Sequence, residues 1–214
     1  MKQIYIHGLG QTPDSWDKVV SQLNAGEYSV CPNLAELVRG SEATYQNLYS
    51  AFSALCDGIG ETVSLCGLSL GGVLALNYAI DHPEKVESMI LIATQYKMPK
   101  KRLKFQNVIF RFMPKSMFLQ MGFGKNDFFN LCYTMMELDF SKSLQRVSCP
   151  TLVICGGKDN ANKNASIELA NDLRNAIYQE LCGCGHEANV EAPENLANVI
   201  NSFFEVLRNR NTEI

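Results

Sequence analysis

The stretch from Thr62 to Gly72, T-V-S-L-C-G-L-S-L-G-G, predicts a β-strand, a tight turn and an α-helix in succession. Residues Thr62 to Cys66 form a β-branched, apolar run that is typical of a buried strand. Glycines then break the run, and apolar residues at helical spacing continue to Asp81. Ser69 is therefore predicted to lie at the apex of a turn between a strand and a helix.

Residues 67–71, G-L-S-L-G, match a G-x-S-x-G turn, in which a strained backbone raises the serine hydroxyl above the edge of a sheet. Gly67 and Gly71 allow the strand and the helix to close together, because a Cβ atom at either position would collide. The helix after Ser69 directs free backbone N–H groups at an oxyanion that forms beside the serine. The same string occurs in ordinary glycine-rich turns with a solvated serine, so the interpretation depends on the flanking strand and helix.

The composition describes an ordinary globular protein with 214 residues, of which 46% are hydrophobic and 19% are charged. The net charge of −3 predicts no general affinity for nucleic acid. The first residues predict no signal peptide, and no apolar run reaches the length of a membrane span. Eight cysteines without a C-x-x-C pair are typical of reduced, buried thiols, so we expect a cytoplasmic protein without stable membrane insertion.

Strand-like and helix-like patterns alternate along the chain and predict a parallel sheet with helices on both faces. The predicted strands begin near Lys2, Tyr28, Thr62, Val86, Thr151 and Ile177. The predicted helices cover Asp14 or Ser15 to Leu23, Ser41 to Cys56, Gly72 to Asp81, Asn164 to Asn175 and Pro193 to Arg208. Residues 95–140 break the alternation and are predicted to be an insertion, so the core domain comprises residues 1–94 and 141–214.

Four predicted strand ends carry chemically useful groups, and ligands of open α/β sheets bind beyond the carboxyl ends of the strands. These ends hold His7-Gly8-Leu9, Ser69, Asp159 and His186. A serine hydroxyl becomes a good nucleophile when a histidine takes its proton, and a carboxylate holds that histidine in one tautomer. The chain order Ser69, Asp159, His186 is the order of nucleophile, acid and base in folds with such a turn.

The alternatives to these assignments are weaker. Cys182-Gly183-Cys184 beside His186 could suggest a metal site, but the spacing fits no standard zinc pattern, and we predict no metal. His82 precedes a proline at a helix end, on the wrong edge of the predicted sheet, which favours His186 as the base. The rival position for the acid, Thr94-Gln95, carries no carboxylate and leaves Asp159.

Taken together, these segments resemble the α/β-hydrolase family over nearly the whole chain, except for the insertion. The matching segments are His7-Gly8-Leu9-Gly10, Gly67-Leu68-Ser69-Leu70-Gly71-Gly72, His82-Pro83-Glu84, Cys149-Pro150, Gly156-Gly157-Lys158-Asp159, Gly185-His186 and Glu191-Ala192-Pro193-Glu194. The resemblance implies Ser69 as nucleophile, His186 as base and Asp159 as acid. It also implies an oxyanion hole from the backbone N–H groups of Leu9 and Leu70, and no cofactor.

The position of the His7-Gly8 loop departs from the family pattern. This loop normally follows the third strand, after an initial hairpin, whereas here it follows the first predicted strand. We therefore expect about six strands, all parallel, with the N-terminal hairpin missing. The resemblance implies that the Tyr28 strand lies at one edge, next to the Lys2 strand and then the Thr62 strand, followed by the others in sequence. The exposed edge leaves both a monomer and a homodimer open.

The resemblance implies a serine hydrolase that cleaves a carboxylic ester or thioester of a small acyl substrate through an acyl-enzyme, as small carboxylesterases do. The motifs do not separate an esterase from a thioesterase, a C–C bond hydrolase or a cofactor-free lyase, because all of these share the triad. A non-catalytic, ligand-binding member of the fold is another alternative. The intact set of Ser69, Asp159 and His186 argues against it.

Residues 95–140 occupy the place of the lid in this family, so we expect a small helical lid over the site. Seven of the eleven phenylalanines lie between residues 95 and 130, and six of the eight methionines between 95 and 140. Eight basic residues and no acid lie between Lys97 and Lys125, and subtracting them from −3 leaves the rest of the chain at −11. The apolar residues predict an acyl pocket. The basic ones predict either a solvated surface or a site for an anionic or carrier-linked substrate.

Overall fold

The computed structural model describes residues 2–24, 29–120 and 123–212. Within these ranges six strands form one sheet in the order β2-β1-β3-β4-β5-β6, and all neighbouring strands pair in parallel. The strands are β1 (Lys2–Ile6), β2 (Ser29–Val30), β3 (Val63–Leu68), β4 (Val86–Ile92), β5 (Thr151–Gly156) and β6 (Ala176–Leu181). The predicted strand order and direction are confirmed, although Tyr28 itself lies outside the described residues.

Ten α-helices and two 3-10 helices accompany the strands in the described part of the chain. The α-helices are α1 (Asp17–Val20), α2 (Leu34–Leu37), α3 (Tyr45–Asp57), α4 (Leu70–Asp81), α5 (Lys100–Arg111), α6 (Lys115–Gln120), α7 (Lys125–Met135), α8 (Lys163–Asp172), α9 (Ala188–Glu191) and α10 (Pro193–Thr212). The 3-10 helices are Pro13–Trp16 and Leu144–Arg146. None of these helices is both long and apolar enough to span a bilayer.

The sheet has a hydrophobic core on each face, because alternate residues of an inner strand point to opposite sides. On β1, Ile4 and Ile6 join the core formed with α3, α4 and α8, whereas Tyr5 joins the core formed with α1 and α10. Leu65 and Cys66 divide between the two cores in the same way on β3. The parallel sheet therefore lies in the middle of the molecule, and the carboxyl ends of its strands remain free to hold a site.

The predicted helix start at Asp14 or Ser15 is wrong. A 3-10 helix with Thr12 as its N-cap comes first, and α1 is a single turn that ends at Val20. The reason is Pro13, which stands at the first helical position, where its fixed φ favours helix entry and its missing N–H costs nothing. The helix therefore starts one residue before the predicted acidic cap.

Other helix boundaries differ by a few residues from the prediction. The helix predicted from Ser41 begins at Tyr45, because Thr44 is its N-cap and accepts a hydrogen bond of 3.1 Å from the N–H of Asn47. The next long helix begins at Leu70, two residues earlier than predicted. The one-turn helices α2 and α9 were not predicted, since a single turn shows no apolar periodicity.

The described residues between 95 and 140 include α5, α6 and α7, and their buried side chains join the core on the α3 and α4 side of the sheet. Phe118 and Phe128 meet edge to face with ring centroids 5.1 Å apart. The N–H of Phe140 donates to the carbonyl of Tyr96 at 2.8 Å, so the two ends of the segment lie side by side. The segment leaves the core and returns to it at one place, and its role as a lid stays a prediction.

Candidate active site

Ser69 lies in the turn between β3 and α4, in a backbone conformation that is rare for a residue with a side chain. Its φ is 52° and its ψ is −113°. The N–H of Ser69 donates to the carbonyl of Ile92 at 2.8 Å and fixes the turn. A Cβ atom at Gly71 would lie 2.1 Å from the carbonyl oxygen of Ile6, and one at Gly67 would lie 2.3 Å from that of Gly71. Both glycines are needed because the backbones approach this closely.

The loop after β1 lies directly against Ser69, since a Cβ atom at Gly8 would be 3.6 Å from the Cβ of Ser69. The N–H of Gly8 donates to Oε1 of Gln11 at 3.2 Å. The N–H groups of Leu9 and Leu70 have no acceptor in the part of the chain that the structure describes, and both residues line the cavity beside Ser69. These two donors are available to a ligand, and the oxyanion hole stays a prediction.

His7 supports this loop from within the core. Its Nδ1–H donates to the carbonyl of Gly8 at 2.9 Å, and its Nε2 accepts a hydrogen bond of 3.2 Å from the N–H of Leu34. The donor on Leu34 requires the neutral tautomer with its proton on Nδ1. Burial lowers the pKa of His7 more than the bond to Gly8 raises it, so the ring stays neutral. Both ring nitrogens are used, and His7 is not free to act as a base.

A buried amide pair connects the same loop to the segment that follows His186. Gln11 and Asn189 exchange two hydrogen bonds of 3.1 Å, and Asn189 is fully buried. Because Gln11 also accepts from Gly8, one side chain holds the loop that carries Leu9 against α9. The two amides are 178 residues apart in the chain, and no local signal could have identified them.

Asp159 and His186 lie in the loops after β5 and β6 and contact each other. His186 Nδ1 is 2.9 Å from Asp159 Oδ2, and Nδ1 carries the proton because a carboxylate accepts. Burial alone would raise the pKa of the Asp159 carboxyl, but hydrogen bonds from His186 and Asn162 outweigh it and hold the pKa below its ordinary value. Asp159 is therefore ionised at neutral pH and leaves His186 Nε2 free to accept a proton.

Asn162 and Gln95 also contribute to this arrangement, and sequence reasoning missed their contribution. Asn162 Nδ2 lies 3.0 Å from Oδ1 and 2.8 Å from Oδ2 of Asp159. Gln95 Nε2 in turn donates to Asn162 Oδ1 at 2.7 Å. The available signal, an asparagine three residues after an aspartate, is common in turns and points to no particular site.

The three predicted catalytic side chains, Ser69, Asp159 and His186, line one cavity of about 460 Å³. The remaining lining is mainly apolar and includes Val73, Met98, Leu103, Phe110, Phe128, Cys132 and Met135. The volume suits a small ligand. No hydrogen bond joins Ser69 to His186 in the described residues, and such contacts often form only once substrate is bound.

The basic residues of the insertion that the structure describes lie outside this cavity. Lys97 Nζ is 3.6 Å from the carboxylate of Asp139, and Lys100 Nζ is 2.6 Å from that of Glu137. Both pairs are exposed to solvent, where such pairs contribute little. Lys125 donates to two backbone carbonyls just after and at the end of α5, each at 2.8 Å, and so stabilises that helix end.

The charged side chains in the described lining of the cavity are acidic. Its described lining contains no lysine or arginine, and its carboxylates are those of Asp159 and Glu187. The side chains of Lys101 and Arg102, and all of Met121, lie outside the described residues. Binding of an anionic group by the basic residues of the insertion stays a prediction.

The cysteines are not arranged as a metal site in the described residues, where no group of three His, Cys, Asp or Glu side chains could hold an ion. Cys184 is buried and its thiol donates to the carbonyl of Leu181 at 3.4 Å, whereas Cys182 is exposed. His186 contacts Asp159 rather than either thiol.

Sequence relatives with a curated activity include an esterase and a lipase. A pimeloyl-[acyl-carrier protein] methyl ester esterase from Aromatoleum aromaticum is 34% identical over 91 residues, which cover 42% of this chain and 36% of that protein. The match therefore spans little more than a third of the length of that relative. Monoacylglycerol lipase abhd6-A from Xenopus laevis is 23% identical over 96% of this chain and 75% of its own length.

Solved structures share the fold. A carboxylesterase from Nitrososphaera gargenis matches with a TM-score of 0.84 over 98% of this chain and 91% of that chain, at 18% identity, which shows a likeness of fold alone. The family profile described as "Alpha/beta hydrolase family" matches residues 4–199, a range that includes Ser69, Asp159 and His186. With the turn at Ser69, the strand order and this match all in agreement, the chain belongs to the alpha/beta hydrolase family.

Proposed function

We propose that this protein is a serine hydrolase that cleaves a carboxylic ester or a thioester through an acyl-enzyme. Ser69 Oγ attacks the carbonyl carbon, His186 Nε2 takes the hydroxyl proton, and Asp159 holds His186 through Nδ1. His186 then gives the proton to the leaving alcohol or thiol. A water molecule releases the acyl group in the second half of the reaction, with His186 again as base.

The observation that carries this proposal is the combination of a strained serine and a carboxylate-bound histidine on one cavity. Ser69 has a φ of 52°, and the His186–Asp159 contact is 2.9 Å. Backbone strain of this kind costs roughly 1–3 kcal/mol and persists where the surrounding structure enforces it. An exposed serine in such a turn and a histidine held by a carboxylate are the groups that nucleophilic catalysis requires.

The N–H groups of Leu9 and Leu70 supply the oxyanion hole in this proposal. Charge develops on the carbonyl oxygen as Ser69 attacks, and donors that are already oriented stabilise it without reorganisation. Loss of one such donor typically lowers the rate by roughly 10²–10³-fold. The network of His7 and Gln11 holds the backbone of the Leu9 loop and so preserves the position of its donor.

The substrate in this proposal carries a small, uncharged acyl chain, because the cavity is mainly apolar and its described lining has no basic side chain. The helices of residues 95–140 form its lid. The names of the two sequence relatives describe hydrolysis of a methyl ester and of a monoacylglycerol, which supports an ester. Any anionic or carrier-linked part of the substrate would lie outside the cavity, near the basic residues of α5.

The direct test is replacement of the proposed triad, with p-nitrophenyl butyrate as substrate. Ser69→Ala and His186→Ala should each lower kcat by about 10⁶-fold, and Asp159→Asn by about 10⁴-fold, while the fold is retained. His82→Ala is the matched control, since His82 lies outside the cavity, where it contacts Tyr78 and Ser53. Turnover by Ser69→Ala at the wild-type rate would refute the proposal.

Two further measurements separate the open alternatives. A fluorophosphonate probe should label wild-type protein and not Ser69→Ala, whereas a ligand-binding member of the fold would not be labelled in either form. Butyryl-coenzyme A compared with p-nitrophenyl butyrate distinguishes a thioesterase from an esterase at constant acyl length.

A further inference from the structure

The carboxylate of Asp159 is held by Asn162 as well as by His186. Asn162 Nδ2 lies 3.0 Å from Oδ1 and 2.8 Å from Oδ2, and the backbone N–H of Asn162 donates to Oδ1 at 3.2 Å. Asn162 therefore contacts both carboxylate oxygens, whereas His186 contacts only Oδ2. With these contacts the plane of the carboxylate is fixed relative to the imidazole.

Gln95 determines which way the Asn162 amide faces. Gln95 follows β4, the neighbour of β5, and its Nε2 donates to Asn162 Oδ1 at 2.7 Å. If the amide were reversed, its oxygen would face the carboxylate of Asp159, and its amino group would face that of Gln95. Both contacts would be repulsive, so Gln95 keeps the N–H groups of Asn162 directed at Asp159.

Asp159 also caps the start of α8. Its carbonyl accepts from the N–H groups of Asn162 and Lys163 at 3.2 and 3.1 Å, and its Oδ1 accepts from the N–H of Asn162 at 3.2 Å. The side chain of Asn162 makes no capping bond. Its amide is therefore available to contact Asp159 and Gln95.

Asn162 also lies beside the histidine, with Nδ2 at 3.1 Å from His186 Nδ1. An N–H of Asn162 that donated to Nδ1 would favour the other tautomer, in which Nε2 carries the proton and cannot accept one from Ser69. Because both carboxylate oxygens attract the amide, the proton on Nδ1 remains directed at Asp159. Charged residues near this pair include Glu187, which follows His186 and lines the cavity, and Glu191 at the end of α9, which accepts from the N–H groups of Gly185 and Glu187.

We infer that Asn162, oriented by Gln95, is a positioning residue for the Asp159–His186 pair. The inference rests on the proposed serine-hydrolase function and adds to it a contact chain from the end of β4 through Asn162 to the base. In this inference Gln95 orients the amide of Asn162, which in turn holds the carboxylate of Asp159. Gln95 stands at the strand end where the sequence offers no carboxylate.

The key variant is Asn162→Ser, because serine is polar and fits in the space of asparagine but is too short to contact both carboxylate oxygens. With p-nitrophenyl butyrate, kcat should fall by roughly 10–100-fold, since misplacement of a catalytic group has effects of that order. KM should change less than kcat, because Asn162 lines the cavity but acts on the reaction through the Asp159–His186 pair. The urea midpoint should change little, because the side chain of Asn162 makes no capping bond and Asp159 still caps α8 in the variant. A merely structural asparagine would instead lose stability and activity together.

Gln95→Met tests the second link of the chain, since methionine has a similar size and no donor. It should lower kcat less than Asn162→Ser does. In the double variant it should add no further loss, because Gln95 acts through Asn162. Wild-type kcat for Asn162→Ser, or a full additional loss from Gln95→Met in the double variant, would overturn the inference.

The proposed function and the role of Asn162 are tested by different results. If hydrolysis by the wild-type protein does not depend on Ser69, the serine-hydrolase proposal fails. If it does depend on Ser69 and Asn162→Ser retains wild-type kcat, only the positioning role of Asn162 fails.

Discussion

Met135 lines the cavity from the end of α7, so shortening this side chain should lengthen the acyl chain that the protein prefers. Alanine in place of methionine removes Cγ, Sδ and Cε, which leaves space for about three methylene groups. At about 0.8 kcal/mol per buried methylene, an ester longer by that amount gains up to about 2.4 kcal/mol. This corresponds to roughly 50-fold in kcat/KM relative to the shorter ester.

The neighbouring residue provides a matched control. Met135 and Met136 are both buried, with 8% and 5% of their surface exposed, but Met136 is not part of the cavity lining. Replacing either by alanine should lower the free energy of unfolding by about 2–5 kcal/mol. Only Met135→Ala should shift the acyl-chain length that gives the highest kcat/KM. This is measured with a series of p-nitrophenyl esters that runs from acetate to dodecanoate. Urea unfolding confirms first that both variants are folded at the assay temperature.

Two results would refute this reasoning. An unchanged chain-length optimum in Met135→Ala would mean that the acyl chain does not reach the end of α7. An equal shift in Met136→Ala would mean that loosened packing of the insertion, rather than the space left in the cavity, sets the chain-length preference.

Two other predictions concern charge. Because burial lowers the pKa of His7, its contribution to stability is complete above the ordinary histidine pKa of about 6.5 and is lost as pH falls toward the lowered value. His7→Gln should therefore flatten the pH dependence of the urea midpoint below about pH 6.5, and an unchanged slope would contradict this account. Replacing Lys100, Lys101 and Arg102 with glutamine should raise KM for an anionic acyl ester and weaken its salt dependence, with little effect on a neutral ester. Equal effects on the two esters would identify these residues as ordinary solvated surface.

Much of the fold could be predicted from the sequence because its signals are local. The turn at Ser69 requires glycines at fixed positions, since a Cβ atom at Gly71 would lie only 2.1 Å from a backbone oxygen of β1. Strands that are buried on both faces consist mostly of apolar residues, so their composition alone predicts that they are buried. The order of the parallel strands followed from the resemblance to a known family, and the structure confirms it.

The sequence also predicted which candidate catalytic residues would lie close together in the folded protein. The carboxyl ends of parallel strands lie at one edge of the sheet, so residues just after β3, β5 and β6 had to converge. The structure brings Ser69, Asp159 and His186 to one cavity, and their catalytic roles remain to be tested as described above. Boundaries of short helices were less predictable, as Thr12 shows, because a single proline or cap residue decides them.

Only the tertiary structure decided which side chains support these residues. Gln95 and Asn162 are 67 residues apart, and Gln11 and Asn189 are 178 residues apart. Contacts of this kind depend on how strand ends and loops pack in space, and a polar residue in a turn looks the same in the sequence whether or not it has a distant partner. The composition of the insertion predicted an apolar pocket, but only the tertiary structure decided which of its side chains line the cavity, because this depends on how α5 and α7 pack against the core.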